Sequence, residues 1–371
     1  MSIQHRPEKR LPWVARVRTV DGRQLSRSFD RKIDAQAWME DERAKLRRGD
    51  WVDPRRGEIL WEEYTDQVLA GKSHLADRTV ETYEAAVRRV AKYLDGVPLN
   101  RITPERLDNV ISSLSAEYAP ETVAKSVRLI RMVLGKAVQH QRLTRSPAAT
   151  LLAPKVPKRE MRILTAEEVA AVAGVLPDRY RSLPIVAAYM GLRFGELGGL
   201  KVGAVDMLRR RLEVRQVLKE PQGQTPYLGP PKSSASARTL AMPQSLVDEL
   251  ARHLDVFPPV NGFVWTTNRG DVLRRGSFSR IWRTAVGKSV GSPCRLHDLR
   301  HTHAAWLIAA GEHPKAIQQR LGHGSISVTL DRYGHLMEGL DEGAADKLDD
   351  LFVAPGEGQM RDSLGEVITL K

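Results

Sequence analysis

At 371 residues, with 58 basic against 45 acidic side chains and a formal charge of +13, the chain has material for two or three domains and a sizeable core. A pI near 9.9 favours a polyanionic partner, nucleic acid before membrane surface. The single cysteine, Cys294, excludes an intramolecular disulfide and a cysteine-rich zinc site, and no apolar run approaches the ~18 residues of a membrane span, so a cytoplasmic protein without membrane contact is expected.

In chain order, residues 11–18 alternate, with Trp13, Ala15 and Val17 on one side and Val14, Arg16 and Arg18 on the other, which predicts a strand. Asp21 and Gly22 supply a hairpin turn, residues 24–29 return, and Asp30 caps a helix over 31–48 whose Ile33, Ala37 and Trp38 pack on the sheet. Residues 1–56 thus read as a three-stranded sheet plus a helix, ending in a linker at 49–57. Arg16 and Arg18 on a β-face suit contact with a DNA backbone.

Four helices fill residues 57–143. Leu60, Tyr64 and Val68 mark the first; Val80, Tyr83, Val87, Val90 and Leu94 keep three-four spacing in the second. Thr103 and Pro104 open the third, with Leu107, Val110, Ile111 and Leu114 inward. The fourth buries Val123, Val127 and Ile130 and carries Lys125, Arg128 and Arg131 elsewhere on its surface. Residues 144–162, with three prolines and a basic cluster, read as an interdomain linker in which Lys155, Lys158 and Arg159 are candidates to follow phosphates.

A further domain spans 163–353. Thr165 with Glu168 forms a capping box, 183–190 reads as a buried helix broken by Gly191, and Arg193 follows in an apolar setting where a buried arginine needs an anionic partner. Glu196 is the internal candidate. Residues 212–218, 225–228 and 238–242 predict a short antiparallel sheet, with Lys232 beside its second turn and Lys219 as a competitor. Helices follow from Pro243 to about Val256 and over 277–286, with an extended apolar piece at 263–265. From Met337 onward three basic residues face nine acidic ones, so this end, including a tail at 354–371, is not expected to lie on DNA. Overall the chain is expected to be mainly α with small antiparallel β-sheets.

Residues 295–335 hold six of the ten histidines, His297, His301, His303, His313, His323 and His335, together with Arg300 and Tyr333. A phosphodiester is cut by an enzyme nucleophile when donors hold its non-bridging oxygens, an acid protonates the leaving oxygen and a base takes the nucleophile's proton. Tyrosine, with a pKa near 10, needs cations or a histidine to act so. Arginine suits the clamp because its planar fork meets oxygens in pairs.

These motifs, GLRFGE at 191–196, PK at 231–232, HDLRHT at 297–302, LGH at 321–323 and DRYGH at 331–335, resemble the tyrosine recombinases, the phage-integrase family of site-specific DNA strand-exchange enzymes. The resemblance implies a catalytic set of Arg193, Lys232, His297, Arg300, His323 and Tyr333, with Glu196 orienting it. It implies an arm-type DNA-binding domain at 1–56, a helical core-binding domain at 57–143 that closes over DNA opposite the catalytic domain, and a 3′-phosphotyrosyl intermediate made without metal, ATP or any cofactor. Lys232 is then the acid and His297 the base or a positioner. The implied partners are core-type and arm-type double-stranded DNA, three further protomers in a synaptic tetramer, a DNA-bending host factor and a directionality factor. Residues after the tyrosine, Leu348, Leu351 and Phe352, become candidate contacts with a neighbour, and His301, His303 and His313 are read as structural. Two other classes stay open: a metal-dependent phosphohydrolase using His297, Asp298, His301 and His303, and a non-catalytic DNA-binding regulator.

Overall fold

The computed structural model describes residues 2–19, 22–48, 51–72, 75–157 and 161–334, which divide into two compact units between residues 158 and 159. The expectations for Lys158, Arg159, His335, a helix over 339–351, Leu348, Leu351 and Phe352 fall outside the described residues.

The first unit opens with an antiparallel sheet in the order β1 (Ser2–His5), β2 (Trp13–Arg18), β3 (Gln24–Phe29). Alternation places Ala15 and Val17, both fully buried, on the face covered by helix α1 (Lys32–Arg48). The opposite face carries Ser2, Gln4, Arg16, Arg18, Gln24 and Ser26 in register and no carboxylate. The helix meets the sheet through Ala35 and Trp38, whose ring lies 5.9 Å from that of Phe29. Ile33, expected inward, is 66% exposed, and Ala37 is exposed as well. The reason is helical phase: Ala35, Trp38 and Glu42 share the inner face at three-four spacing, and Ile33 falls across from it. The expected linker at 49–57 is anchored, since buried Asp53 accepts hydrogen bonds from Arg23 at 2.9 Å and from the Arg55 backbone at 3.0 Å.

Helices α2 (Trp61–Ala70), α3 (Asp77–Leu94), α4 (Pro104–Glu117) and α5 (Pro120–Gln139) then enclose one apolar core. Thr103 caps α4 by accepting from the Arg106 amide at 3.2 Å ahead of Pro104. Leu107, Leu114, Val123, Val127 and Ile130 are buried as their spacing predicts. Val80 is not, because α3 turns Ala86, Val90 and Leu94 inward instead. Residues 144–151 cover the bundle rather than leave it: Ala148 and Leu151 join its core, and the Arg131 guanidinium holds the Leu151 carbonyl.

The second unit contains α6 (Ala166–Val175), whose Thr165 and Glu168 form the expected capping box, and α7 (Ser182–Met190), buried along most of its length and ended by Gly191 at φ +63°. A short α8 (Phe194–Gly198) follows. The expected single sheet is two sheets. β4 (Val205–Asp206), β5 (Arg211–Val214) and β8 (Arg238–Ala241) form one, and the hairpin of β6 (Val217–Lys219) and β7 (Tyr227–Gly229) forms the other. The run 212–218 breaks at Arg215 and Gln216, so its halves find different partners. Helices α9 (Gln244–Val256), α10 (Arg275–Ser289), α11 (Asp298–Ala309), α12 (Pro314–Leu321) and α13 (Ile326–Tyr333) complete the unit; the piece at 263–265 is buried and makes isolated bridges only. No described helix is long and apolar enough to cross a membrane.

Leu134 is fully buried in the bundle, whereas Leu152 is 77% exposed. Leu134→Ala is expected to cost about 2–5 kcal/mol in denaturant unfolding and Leu152→Ala almost nothing; equal losses would contradict the bundle core described here.

Candidate active site

Three arginines meet at one end of the second unit. Arg193 leads into α8 and is held by Glu196 twice, through its backbone amide at 2.9 Å and its guanidinium at 3.0 Å. Glu196 is 3% exposed and also accepts two hydrogen bonds from Arg238, at 3.1 and 3.0 Å. Burial would raise the Glu196 pKa, but hydrogen bonds and charge from Arg238 and then Arg193 lower it overall. Arg238, at the start of β8, is nearly buried and spends its remaining donors on the carbonyls of Arg320 at 2.6 Å and Ser236 at 2.9 Å.

Arg300 lies in the first turn of α11 and is 2% exposed. It donates to the Gly191 carbonyl at 2.6 Å and to the Leu321 carbonyl. Arg193 reaches the next carbonyl, that of Gly322, at 3.4 Å. Both clamps therefore rest on the turn that ends α12, where Gly322 takes φ +63°. His323 follows, 8% exposed, with Nδ1 2.9 Å from the Thr329 hydroxyl. A guanidinium has five N–H donors, so the clamps keep further hydrogens for an anion.

Tyr333 closes α13 and is 1% exposed. Its hydroxyl lies 2.8 Å from Nδ1 of His301, not of His297. The sequence suggests a structural role for His301, and the structure places it against the phenol: α11 turns His301 inward toward α13 while His297, at the helix N-cap, stays exposed. The two histidine rings meet edge to face at 5.0 Å. His303 donates through Nδ1 to the Ala188 carbonyl at 2.9 Å, and His313 accepts from the Lys315 amide at 3.1 Å, so both serve the fold. Burial raises the Tyr333 pKa, against Arg300, Arg332 and Arg193. Desolvation first, then neighbouring cations, lowers His301 and His323 to about 4 and Arg300 to about 9. His297 is exposed by surface area, yet the protein mass around it and then His301, Arg300, Arg332 and Arg193 lower it to about 4.

Lys232 is exposed and, among the described residues, makes no hydrogen bond or ion pair. Its loop continues to Ala235 and Ser236, against which a Cβ on Gly322 would press at 3.0 and 3.1 Å, so the lysine segment abuts the turn before His323. Lys219 lies instead in the β6–β7 hairpin with its ammonium 5.9 Å from the Tyr227 ring. A cleft of about 910 Å³ adjoins the clamps, lined by Arg193, Arg275, Arg283, Arg295, His297 and buried Trp282. Lys125, Arg128, Arg131 and Lys155 are exposed in the first unit, Arg18 is exposed on its sheet and Arg16 half-buried. Arg238 and His301 escaped the sequence reading as site residues. For Arg238 the available signal was the need of Glu196 for a second cation; for His301 it was its position next to Arg300. The donors proposed for a metal do not converge: His301 engages Tyr333, His303 engages Ala188, and no group of three His, Cys, Asp or Glu among the described residues is arranged to hold an ion.

The sequence matches the profile of the Phage integrase family over residues 162–339 and that of the Phage integrase SAM-like domain over 61–153. It is 26% identical over 339 residues to the integrase of Mycobacterium phage L5, covering 87% of this chain and 90% of that one. It is 24% identical over 357 residues to a XerC-like tyrosine recombinase of Caldanaerobacter subterraneus, covering 87% and 90%. Among solved structures it resembles the Tn1549 transposon integrase in complex with transposon right-end DNA, with a TM-score of 0.69, 18% identity and coverage of 79% of this chain and 100% of that one. A lambda integrase tetramer bound to a Holliday junction gives a TM-score of 0.56 at 18% identity, covering 87% and 95%.

Removing the Glu196 charge leaves two arginines without their buried counter-ion. Glu196→Gln is expected to destabilise the second unit by about 3–5 kcal/mol, measured by denaturant unfolding; a change below 1 kcal/mol would contradict the arrangement. The buried histidines set an acid limit. Unfolded imidazoles protonate near 6.5, whereas His301 and His323 stay neutral down to about 4 and His303 to about 3. Between these values the unfolded state binds more protons, so this stabilisation is complete above pH 6.5 and declines as pH falls toward 4. Thermal unfolding at pH 7.5 and 5 should show a lower midpoint at pH 5, and His303→Asn should lessen the difference.

Proposed function

Since the chain belongs to the phage integrase family of tyrosine recombinases and is a site-specific recombinase, we propose that Tyr333 is its nucleophile and that Arg193, Arg300 and His323 hold the scissile phosphate. The gathering of both arginines on the carbonyls of residues 191, 321 and 322, one residue from His323, is the observation that carries this reading. Attack by the phenolic oxygen forms a 3′-phosphotyrosyl bond and releases a 5′-hydroxyl, whose oxygen takes a proton from Lys232. The arginines and His323 stabilise the charge that builds on the non-bridging oxygens. His297, exposed beside Arg193 in the basic cleft, positions the phosphate, and Glu196 fixes Arg193 from behind. Because the phosphodiester energy stays in the covalent bond, religation to another strand needs neither ATP nor a metal.

The partner is DNA. Structures of the similar Tn1549 and lambda integrases in complex with DNA, the latter also as a tetramer on a Holliday junction, support this. The SAM-like helical segment acts as the core-binding domain, with Lys125, Arg128 and Lys155 near the backbone, and the carboxylate-free face of the N-terminal sheet, through Arg16 and Arg18, reads arm-type sites. Synapsis joins four protomers on two duplexes, with a DNA-bending host protein and a directionality factor as further partners. The chain serves integration of a phage or another mobile element in the cytoplasm.

Incubated in EDTA with the DNA that flanks its own gene, the native protein is expected to form an SDS-resistant adduct, and Tyr333→Phe to bind that DNA with unchanged affinity and form none. Cleavage surviving Tyr333→Phe, or appearing only after metal is restored, would overturn the assignment.

A further inference from the structure

Tyr333 poses a proton problem. Its side chain is 1% exposed and belongs to a small apolar cluster with Ala304, Ile308, Ile317 and Leu321, so bulk water is kept from the phenol. A phenol that attacks phosphorus must give up its proton, and a shielded one gives it to a group already in contact. Among the described residues that group is His301, with Nδ1 at 2.8 Å, while the ring of His297, at the N-cap of α11, packs against the His301 ring at 5.0 Å. Resting on the reading of Tyr333 as nucleophile, we propose that His301, rather than His297, accepts the Tyr333 proton during strand cleavage.

The step balances. The Oη–H bond of Tyr333 breaks and Nδ1–H of His301 forms; Oη–P forms and P–O5′ breaks; the 5′ oxygen takes a proton from Lys232. In religation the incoming 5′-hydroxyl returns its proton to Lys232, and His301 returns the other to the departing phenolic oxygen, so the enzyme ends as it began. The acceptor nitrogen must be bare in the resting chain, which puts the ring proton on Nε2. Around the ring stand His297, Asp298 and Arg300 on its own helix, Arg295 just before it and Arg332 on α13. In the resting chain these cations oppose a protonated ring; the bound phosphate, held by Arg193 and Arg300, adds negative charge beside them and eases the transfer.

The test uses the full chain, the duplex from its own gene flank that yields the adduct, and a nick that lets the cleaved 5′ fragment escape. His301→Gln keeps a hydrogen-bonding side chain near the phenol but accepts no proton. It should slow adduct formation about 100-fold or more, with DNA affinity unchanged, whereas His297→Gln should retain the proton-transfer step and weaken binding of the phosphate. In His301→Ala, added imidazole should restore the rate and the less basic pyrazole should not. Native-like cleavage by His301→Gln, or equal rescue by pyrazole, would reduce His301 to packing and overturn the proposal. Should both variants lose DNA binding, nitrogen NMR of the native chain decides: a proton on Nδ1 of His301 overturns it and a proton on Nε2 upholds it. No adduct from the native chain removes the nucleophile assignment itself, and this inference with it.

Discussion

The second unit depends on one buried carboxylate. Arg193 and Arg238 lie close enough to lower the affinity of Arg300 for a proton, and bringing three guanidinium groups together is unfavourable without a counter-ion. Glu196 supplies it, accepting from two of the three and from the backbone of Arg193. The same carboxylate closes the first turn of α8, so the element that neutralises the arginines also fixes where α8 begins. Charge balance and chain geometry are thus set by one side chain.

The positions of the two clamps follow from backbone rather than from other side chains. Gly191 and Gly322 both end a helix in the left-handed region, each at φ +63°, and each turns a carbonyl toward an arginine of another segment. Any Cβ at Gly191 would meet the His303 ring at 2.5 Å, so glycine is required there by space as well as by conformation. His303 in turn is locked onto Ala188 in α7, which explains why a histidine without reactive contacts is buried so close to the chemistry.

Much of this was legible in the sequence. Three-four spacing placed the helices of the bundle, the Thr165 and Glu168 pair marked the start of α6, and the motif order brought Arg193, Arg300, His323 and Tyr333 to one end of the unit. What was hidden depended on tertiary partners. Ile33 reads as inward because it is apolar, yet the phase of α1 is set by which residues meet the sheet. The run 212–218 reads as one strand, since nothing local reports that β5 pairs with β8 while β6 pairs with β7. His301 and His297 have the same chemistry four residues apart, and only the docking of α13 distinguishes them. Arg238 is one basic residue in a polar loop until Glu196 is seen to need two partners.

Helix α13 turns two polar groups inward one turn apart, Thr329 onto His323 and Tyr333 onto His301. Two anchors one turn apart fix the rotation of α13 about its own axis, so the orientation of the phenol is coupled to the hydroxyl that holds His323. Loss of the Thr329 hydroxyl is therefore felt at Tyr333 as well as at His323, although the two side chains meet different histidines.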